Sequence, residues 1–269
     1  YKSEVDKLIE LNRVYNMDCL EFMREIPDEY VDLIIADPPY FGIVKENWDN
    51  QWKTKDEYLS WCEKWIIECK RILKETGSIY IWGTIGEKSD TIIHIKLLTD
   101  KIGLYFKDWI TWKKQRGMGN RKGWLYTREE LLWYVKNNKN FIWNEKNQYS
   151  TERRKRDGGK DIIKPSQTGY LAKSLFKRIT NVWTDISECT FNISEQNLSN
   201  KHLTPKPIET SERIIKVNTN EGNIVYIPFA GSGSEIIACI KNKRNYIATE
   251  INNEYITNII IPRIQKECM

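Results

Sequence analysis

The sequence has only two histidines and six cysteines in 269 residues, and no cysteine pair has C-x-x-C spacing. A structural or catalytic zinc site is therefore not expected. Cys19, Cys62, Cys69, Cys189, Cys239 and Cys268 are scattered, which fits reduced thiols in a cytoplasmic protein. No apolar run reaches the roughly 18 residues of a membrane span. The opening Tyr1-Lys2-Ser3-Glu4 shows no signal-peptide pattern, so no membrane partner is expected. Internal repeats are missing. So is a dinucleotide fingerprint: Gly231 and Gly233 would need a third glycine at 236, where Ile236 stands.

What is present is aromatic side chains, with 11 tryptophans, and charge that is unevenly placed. The net charge is +5, yet Lys113 to Arg178 holds 18 basic and 6 acidic residues. A basic segment on an otherwise acidic body points to a polyanionic partner. Arg116, Arg121, Lys122, Arg153, Arg154, Lys155 and Arg156 are candidates for phosphate contacts. Gln115, Asn120, Gln148 and Gln167 are candidates for reading base edges.

Apolar spacing predicts strands at 13–18, 31–36, 78–82, 105–112 and 131–135. It predicts helices at 20–26, 55–74 (stopped by Gly77) and 90–102. From about 137 to 200 the pattern dissolves. A helix over 205–217, strand 223–227, helix 235–242 and strand 245–250 follow. A last helix starts near Asn253 and is interrupted at Pro262. Alternating strands and helices predict an α/β fold with a largely parallel sheet.

Two stretches carry chemistry. Asp37-Pro38-Pro39-Tyr40 leaves the strand at 31–36. Two prolines make a stiff turn that frees backbone carbonyls, so acid, carbonyl and ring together can grip a flat ligand bearing an exocyclic amine. Pro228-Phe229-Ala230-Gly231-Ser232-Gly233 lies between a strand and a helix, where glycines let a ligand approach the backbone. Glu250 closes the next strand, where a carboxylate binds ribose hydroxyls. Ribose recognition without a phosphate grip suits a nucleoside such as S-adenosylmethionine.

With both in place, the chain resembles the β group of S-adenosylmethionine-dependent DNA amino-methyltransferases, in which the cofactor half follows the catalytic half. Asp37-Pro38-Pro39-Tyr40 resembles the D/S-P-P-Y catalytic motif, and Pro228 to Gly233 the P-F-x-G-S-G cofactor turn. Ala248-Thr249-Glu250-Ile251-Asn252 is similar to G-x-E-I/L-N, and His202 to Pro207 to H-P-T-Q-K-P. Asn16-Met17-Asp18-Cys19-Leu20 is similar to N-G-D-C-L.

The resemblance implies a Rossmann-like methyltransferase fold, a mostly parallel central sheet flanked by helices, with an inserted target-recognition region. Residues 1–136 and 201–269 would form the catalytic and cofactor domain, and 137–200 the recognition region, its basic surface beginning near 113. Asp37, Pro38, Pro39 and Tyr40 would be catalytic. Asp18, Cys19, Asp37, Lys206, Pro228, Phe229, Ala230, Gly231, Ser232, Gly233, Glu250 and Asn252 would bind the cofactor, with Lys206 on its carboxylate. The implied reaction is methylation of adenine N6 in double-stranded DNA after base flipping. Implied partners extend to a second copy in a homodimer and a cognate restriction enzyme. N4-cytosine methylation, RNA adenine methylation and a non-catalytic nucleic-acid-binding subunit stay open. One departure concerns the strand end before the glycine turn. The family carries an acid there that helps bind the cofactor's ammonium, and this chain has Ile227.

Overall fold

The computed structural model describes residues 9–43, 51–86, 89–118, 122–153, 155, 175–189 and 205–268. The chain builds strands β1 (Arg13–Tyr15), β2 (Val31–Ala36), β3 (Leu73–Gly83), β4 (Tyr105–Met118) and β5 (Tyr126–Val135). It continues with β6 (Tyr149–Arg153), β7 (Phe176–Arg178), β8 (Val182–Trp183), β9 (Ile224–Ile227) and β10 (Asn245–Thr249). Eight of them form one sheet in the order β1-β10-β9-β2-β3-β5-β4-β8, and β6 pairs with β7 apart from it. Only β5 runs against its neighbours; the other strands of the large sheet point one way.

Strand β2 reads as an unbroken buried run because both its faces are covered. Its side chains alternate between two cores. Val31, Ile34 and Ala36 face helices α1 (Cys19–Met23), α2 (Lys55–Ile72) and α3 (Thr91–Ile102). Leu33 and Ile35 face α4 (Ile208–Asn218) and α5 (Ser234–Lys241). Asp32, buried in the same strand, accepts from the Ile224 N–H (2.8 Å) and from Lys74 (2.9 Å), so the charge is satisfied.

The sheet is largely parallel, as expected, with one strand reversed by the long β4–β5 hairpin; a two-sided apolar run reads alike in either direction. Other expectations are corrected. Strand β8, from the segment without pattern, joins β4, and Trp183, Ile186 and Cys189 are buried. Part of the stretch 137–200 is therefore built into the main sheet. Helix α2 ends at Ile72, and Gly77 lies inside β3. A Cβ there would come within 2.5 Å of Leu73 Cδ1 and 3.0 Å of the Asp32 carbonyl, so close packing requires this glycine. Pro262 does not interrupt its helix. After α6 (Asn253–Tyr255), a π-turn over Ile256–Ile260 inserts an extra residue. The π-turn runs straight into α7 (Ile261–Cys268), so Pro262 lies within a continuous helical run, just past the widened turn.

In this topology the chain leaves β1, β2, β9 and β10 at one edge of the sheet. Connections from β2 and β9 depart to opposite faces, which opens a crevice at their carboxyl ends. Asp18, Asp37, Pro228 and Glu250 follow those four strand ends. Among the described residues no helix is long and apolar enough to cross a membrane.

Candidate active site

The crevice is a cleft of about 1090 Å³ of empty volume, its open mouth included. Asp37, Pro38, Pro39 and Tyr40 line it from one side. Pro228, Phe229, Ala230, Gly231, Ser232 and Glu250 line it from the other, with Asp18, Cys19 and Lys206 between them. Residues far apart in the sequence thus meet in one place. Of the expected site residues, Gly233 and Asn252 stand behind the wall. Gly233 adopts φ +77° to start α5, and the Asn252 side chain caps α6 by accepting from the Glu254 N–H.

Asp37 is held at both oxygens. Tyr40 donates its hydroxyl to Oδ1 (2.7 Å), and Lys206 donates its ammonium to Oδ2 (2.7 Å). Lys206 also contacts Glu129 at 3.0 Å, and Glu129 pairs with Lys114. The result is a buried chain of alternating charge, Asp37–Lys206–Glu129–Lys114. Burial alone would raise the Glu129 carboxyl, but Lys206 and Lys114 outweigh it and hold it down at about 2. Burial would likewise lower Lys206, and Asp37 and Glu129 instead raise it. Lys206 is only 4% exposed, and its charge is taken by two carboxylates of the protein. Lys206 lines the cleft, as expected of a cofactor-binding residue, and its ammonium serves Asp37 and Glu129.

The proline turn is rigid for a further reason. Tyr58, on α2, donates to the Pro39 carbonyl at 2.7 Å. Among the described residues nothing donates to the Pro38 carbonyl, which is left as an acceptor beside Asp37.

Across the cleft, Glu250 accepts the Gly231 N–H (2.7 Å) on one oxygen and the Asn252 N–H (2.8 Å) on the other. It thereby ties the glycine turn to the end of β10, and each oxygen keeps a lone pair for a hydroxyl donor. Its carboxyl lies above the ordinary range, because burial outweighs those backbone bonds. Asp18 caps α1 through one oxygen, accepting from the Leu20 and Glu21 N–H groups. Cys19 is buried, and burial raises its thiol, so it is a wall and not a reactive group.

Sequence reasoning missed three residues here. Trp61 lines the cleft and packs on Phe229 with ring centroids 5.7 Å apart; its helical spacing suggested only core. Glu129 lies in Thr127 to Trp133, which resembles a target-pocket segment of the family, but its pairing with Lys206 and Lys114 was not foreseen. Glu235, in the first turn of α5, is 5% exposed and also lines the cleft.

The expected nucleic-acid contacts fare unevenly. Arg121, Arg154, Arg156, Asn120 and Gln167 lie outside the described residues, as does the Arg153 side chain. Arg116, Lys122 and Lys155 are exposed. Gln148 is buried, so it is corrected from base reader to structural residue. The Gln115 amide donates to Ser187 at 3.0 Å. Beside Lys122, Trp124 stands 98% exposed in the turn of the β4–β5 hairpin.

A permuted Rossmann-like sheet with this proline turn facing this glycine turn defines a class, and comparison with known proteins agrees. Residues 31–261 match the DNA methylase family of N6 and N4 methyltransferases, and the chain belongs to that family. It is 29% identical over 271 residues to the Type II methyltransferase M1.MboII of Moraxella bovis, covering 96% of this chain and 99% of that one. It is 32% identical to the DNA adenine methyltransferase YhdJ of Escherichia coli K12, covering 92% and 81%. Among solved structures, the M1.HpyAVI–SAM complex has a TM-score of 0.62 at 23% identity, covering 94% of this chain and 98% of the other. The cytosine-N4-specific PvuII DNA methyltransferase has a TM-score of 0.68 at 16% identity, covering 94% and 90%. These two likenesses concern the fold.

Proposed function

We propose that this protein transfers a methyl group from S-adenosylmethionine to the exocyclic N6 of adenine in double-stranded DNA, acting on a base turned out of the helix. The observation that carries the reading is Asp37, held at the end of β2 with the Pro38 carbonyl beside it, in a cleft whose other wall is the glycine turn and Glu250. The adenine target is supported by the likeness to YhdJ.

The cleft suits this cofactor. Its donor set is rich in carboxylates (Asp18, Glu235, Glu250) and in apolar and aromatic walls (Trp61, Phe229, Ile251). That matches a cationic nucleoside bearing an amine, hydroxyls and an ammonium, and it offers no arginine fork for phosphate. Asp18 and Glu250 would hold the nucleoside, and Phe229 and Trp61 would flank it. When bound, S-adenosylmethionine supplies an electrophilic methyl group on sulfur.

The protein's own task is to make an amine nucleophilic. The lone pair of an adenine amino group is delocalised into the ring. Asp37 and the Pro38 carbonyl accept hydrogen bonds from its two N–H groups and favour a pyramidal nitrogen whose lone pair is no longer conjugated with the ring. Asp37 can do this while bonded to Tyr40 and Lys206, because each carboxylate oxygen has a second lone pair. The Lys206 ammonium balances the charge of Asp37 and fixes its orientation. Positioning and fixed charge thus carry catalysis. The target atom is inaccessible in a duplex, hence base flipping. The basic surface from about residue 113, with residues 137–200 as the recognition region, would hold the DNA backbone.

The test is Asp37→Ala in a tritiated-methyl transfer assay on duplex DNA, followed by nucleoside mass spectrometry. Methyl transfer is expected to fall by about 10³-fold or more, with DNA affinity retained and N6-methyladenine as the wild-type product. Full activity of the variant, or N4-methylcytosine as the product, overturns the respective half of the proposal.

A further inference from the structure

Glu235 is a buried carboxylate in the cleft wall that the mechanism above does not use. Its side-chain hydrogen bond is a long one from the Ser211 hydroxyl (3.4 Å), a backbone N–H of its own helix turn supplies another, and among the described residues no cation lies within ion-pair distance. Such isolation is costly for a carboxylate, and a nearby group normally compensates it. The groups facing it are Asp37 after β2, Lys206 before α4, Ser211 on α4 and Arg263 on α7. Lys206 is already shared by Asp37 and Glu129. The Arg263 guanidinium is turned to the Ser232 carbonyl (2.5 Å) and the Ser234 hydroxyl (3.3 Å).

Charge counting leads to the same place. Lys206 and Lys114 pair with Asp37 and Glu129, and Arg263 acts on Glu235 only from beyond ion-pair distance, so Glu235 is the carboxylate of the cluster with no cation in contact. Ile227, where an acid would otherwise serve, is fully buried in the core beside Ile236 and Ile260 and does not reach the cleft.

We infer that Glu235 receives the α-ammonium of the cofactor's amino-acid end, supplying from the first turn of α5 the carboxylate that the end of β9 lacks. This rests on the S-adenosylmethionine reading above. The ammonium gives Glu235 the ion-pair partner it lacks. In the ligand-free protein, burial and the neighbouring Asp37 push the Glu235 carboxyl up to about 7. Binding an ammonium therefore favours its ionised form.

Calorimetric titration of wild type and Glu235→Gln tests this, using S-adenosylhomocysteine and its analogue lacking the α-amino group. The substitution is expected to weaken S-adenosylhomocysteine by about 10- to 100-fold. The deamino analogue should bind both proteins within about twofold. Equal losses for both ligands, or no loss for either, overturn the assignment of Glu235 and leave the cofactor reading standing. The wild type gives an arm independent of the variant's folding: it must prefer the amine-bearing ligand by about tenfold or more, and equal affinity overturns the assignment. Failure of the wild type to bind S-adenosylmethionine or S-adenosylhomocysteine overturns the cofactor reading, and the assignment with it.

Discussion

Glu129 and Glu235 are both buried carboxylates of one site, and they meet opposite fates. Glu129 lies between two lysines and stays ionised far into acid, while Glu235 has no cation in ion-pair contact and holds its proton to near neutrality. Burial is common to both, so it does not decide the difference; the presence of a fixed cation does. The β2–β5 wall is thus complete in itself and rigid. The glycine-turn wall carries unspent negative charge. A site that must hold a base in one geometry and take up and release a cofactor repeatedly needs both kinds of wall.

The strongest way to break this contrast is to remove the cation of the complete wall. Lys206→Met leaves Asp37 and Glu129 without their shared partner, and a loss of about 3–5 kcal/mol in urea unfolding is expected. A loss under about 1 kcal/mol would show that the charge chain is solvent-screened like a surface pair.

A sharper test uses pH. Glu129 has its folded value lowered from 4.5 to about 2. Its stabilisation is present above about pH 4.5 and is lost as pH falls towards 2, so Glu129→Gln should flatten the acid limb. Glu235 has its value raised from 4.5 to about 7. The folded state then binds the extra proton, so stability declines as pH rises from about 4.5 to 7. Glu235→Gln should remove that decline and raise the melting temperature of the ligand-free protein at pH 8, with little change at pH 4. Shifts of the same sign in both variants, followed by calorimetry or circular dichroism, would erase the distinction.

The smallest effect lies away from both walls. Reversing Lys122 or Lys155 should weaken DNA binding a few-fold and flatten the slope of log K against log salt by about 0.9 for each phosphate no longer neutralised. An unchanged slope would put that residue off the DNA.

The parts of the site that could be read from the sequence are contiguous. Asp37 to Tyr40 and Pro228 to Gly233 each hold their chemistry within six residues, and Glu250 closes a strand whose pattern is plain. Long-range pairing was not legible. Lys206 sits 169 residues from Asp37, and nothing local distinguishes it from a lysine that awaits a ligand. Glu235 reads as a favourable acid in a first helical turn, and only burial reveals that it is isolated. In the fold, helices and buried strands follow their periodicities. The reversal of β5 did not show, since burial on both faces erases direction, and two-residue β8 is too short to have a period.

Strand β1 has a consequence for the order of folding. It pairs only with β10, and the Asn16 amide donates to the Glu250 carbonyl, a partner 234 residues later. Strand β1 therefore waits for a partner segment synthesised 234 residues later. Until β10 is synthesised, the edge of β9 is unpaired and the wall holding Glu250 does not exist. Closure of this sheet is a late event of high contact order, and a nascent chain stopped anywhere before β10 has its proline turn but no facing wall.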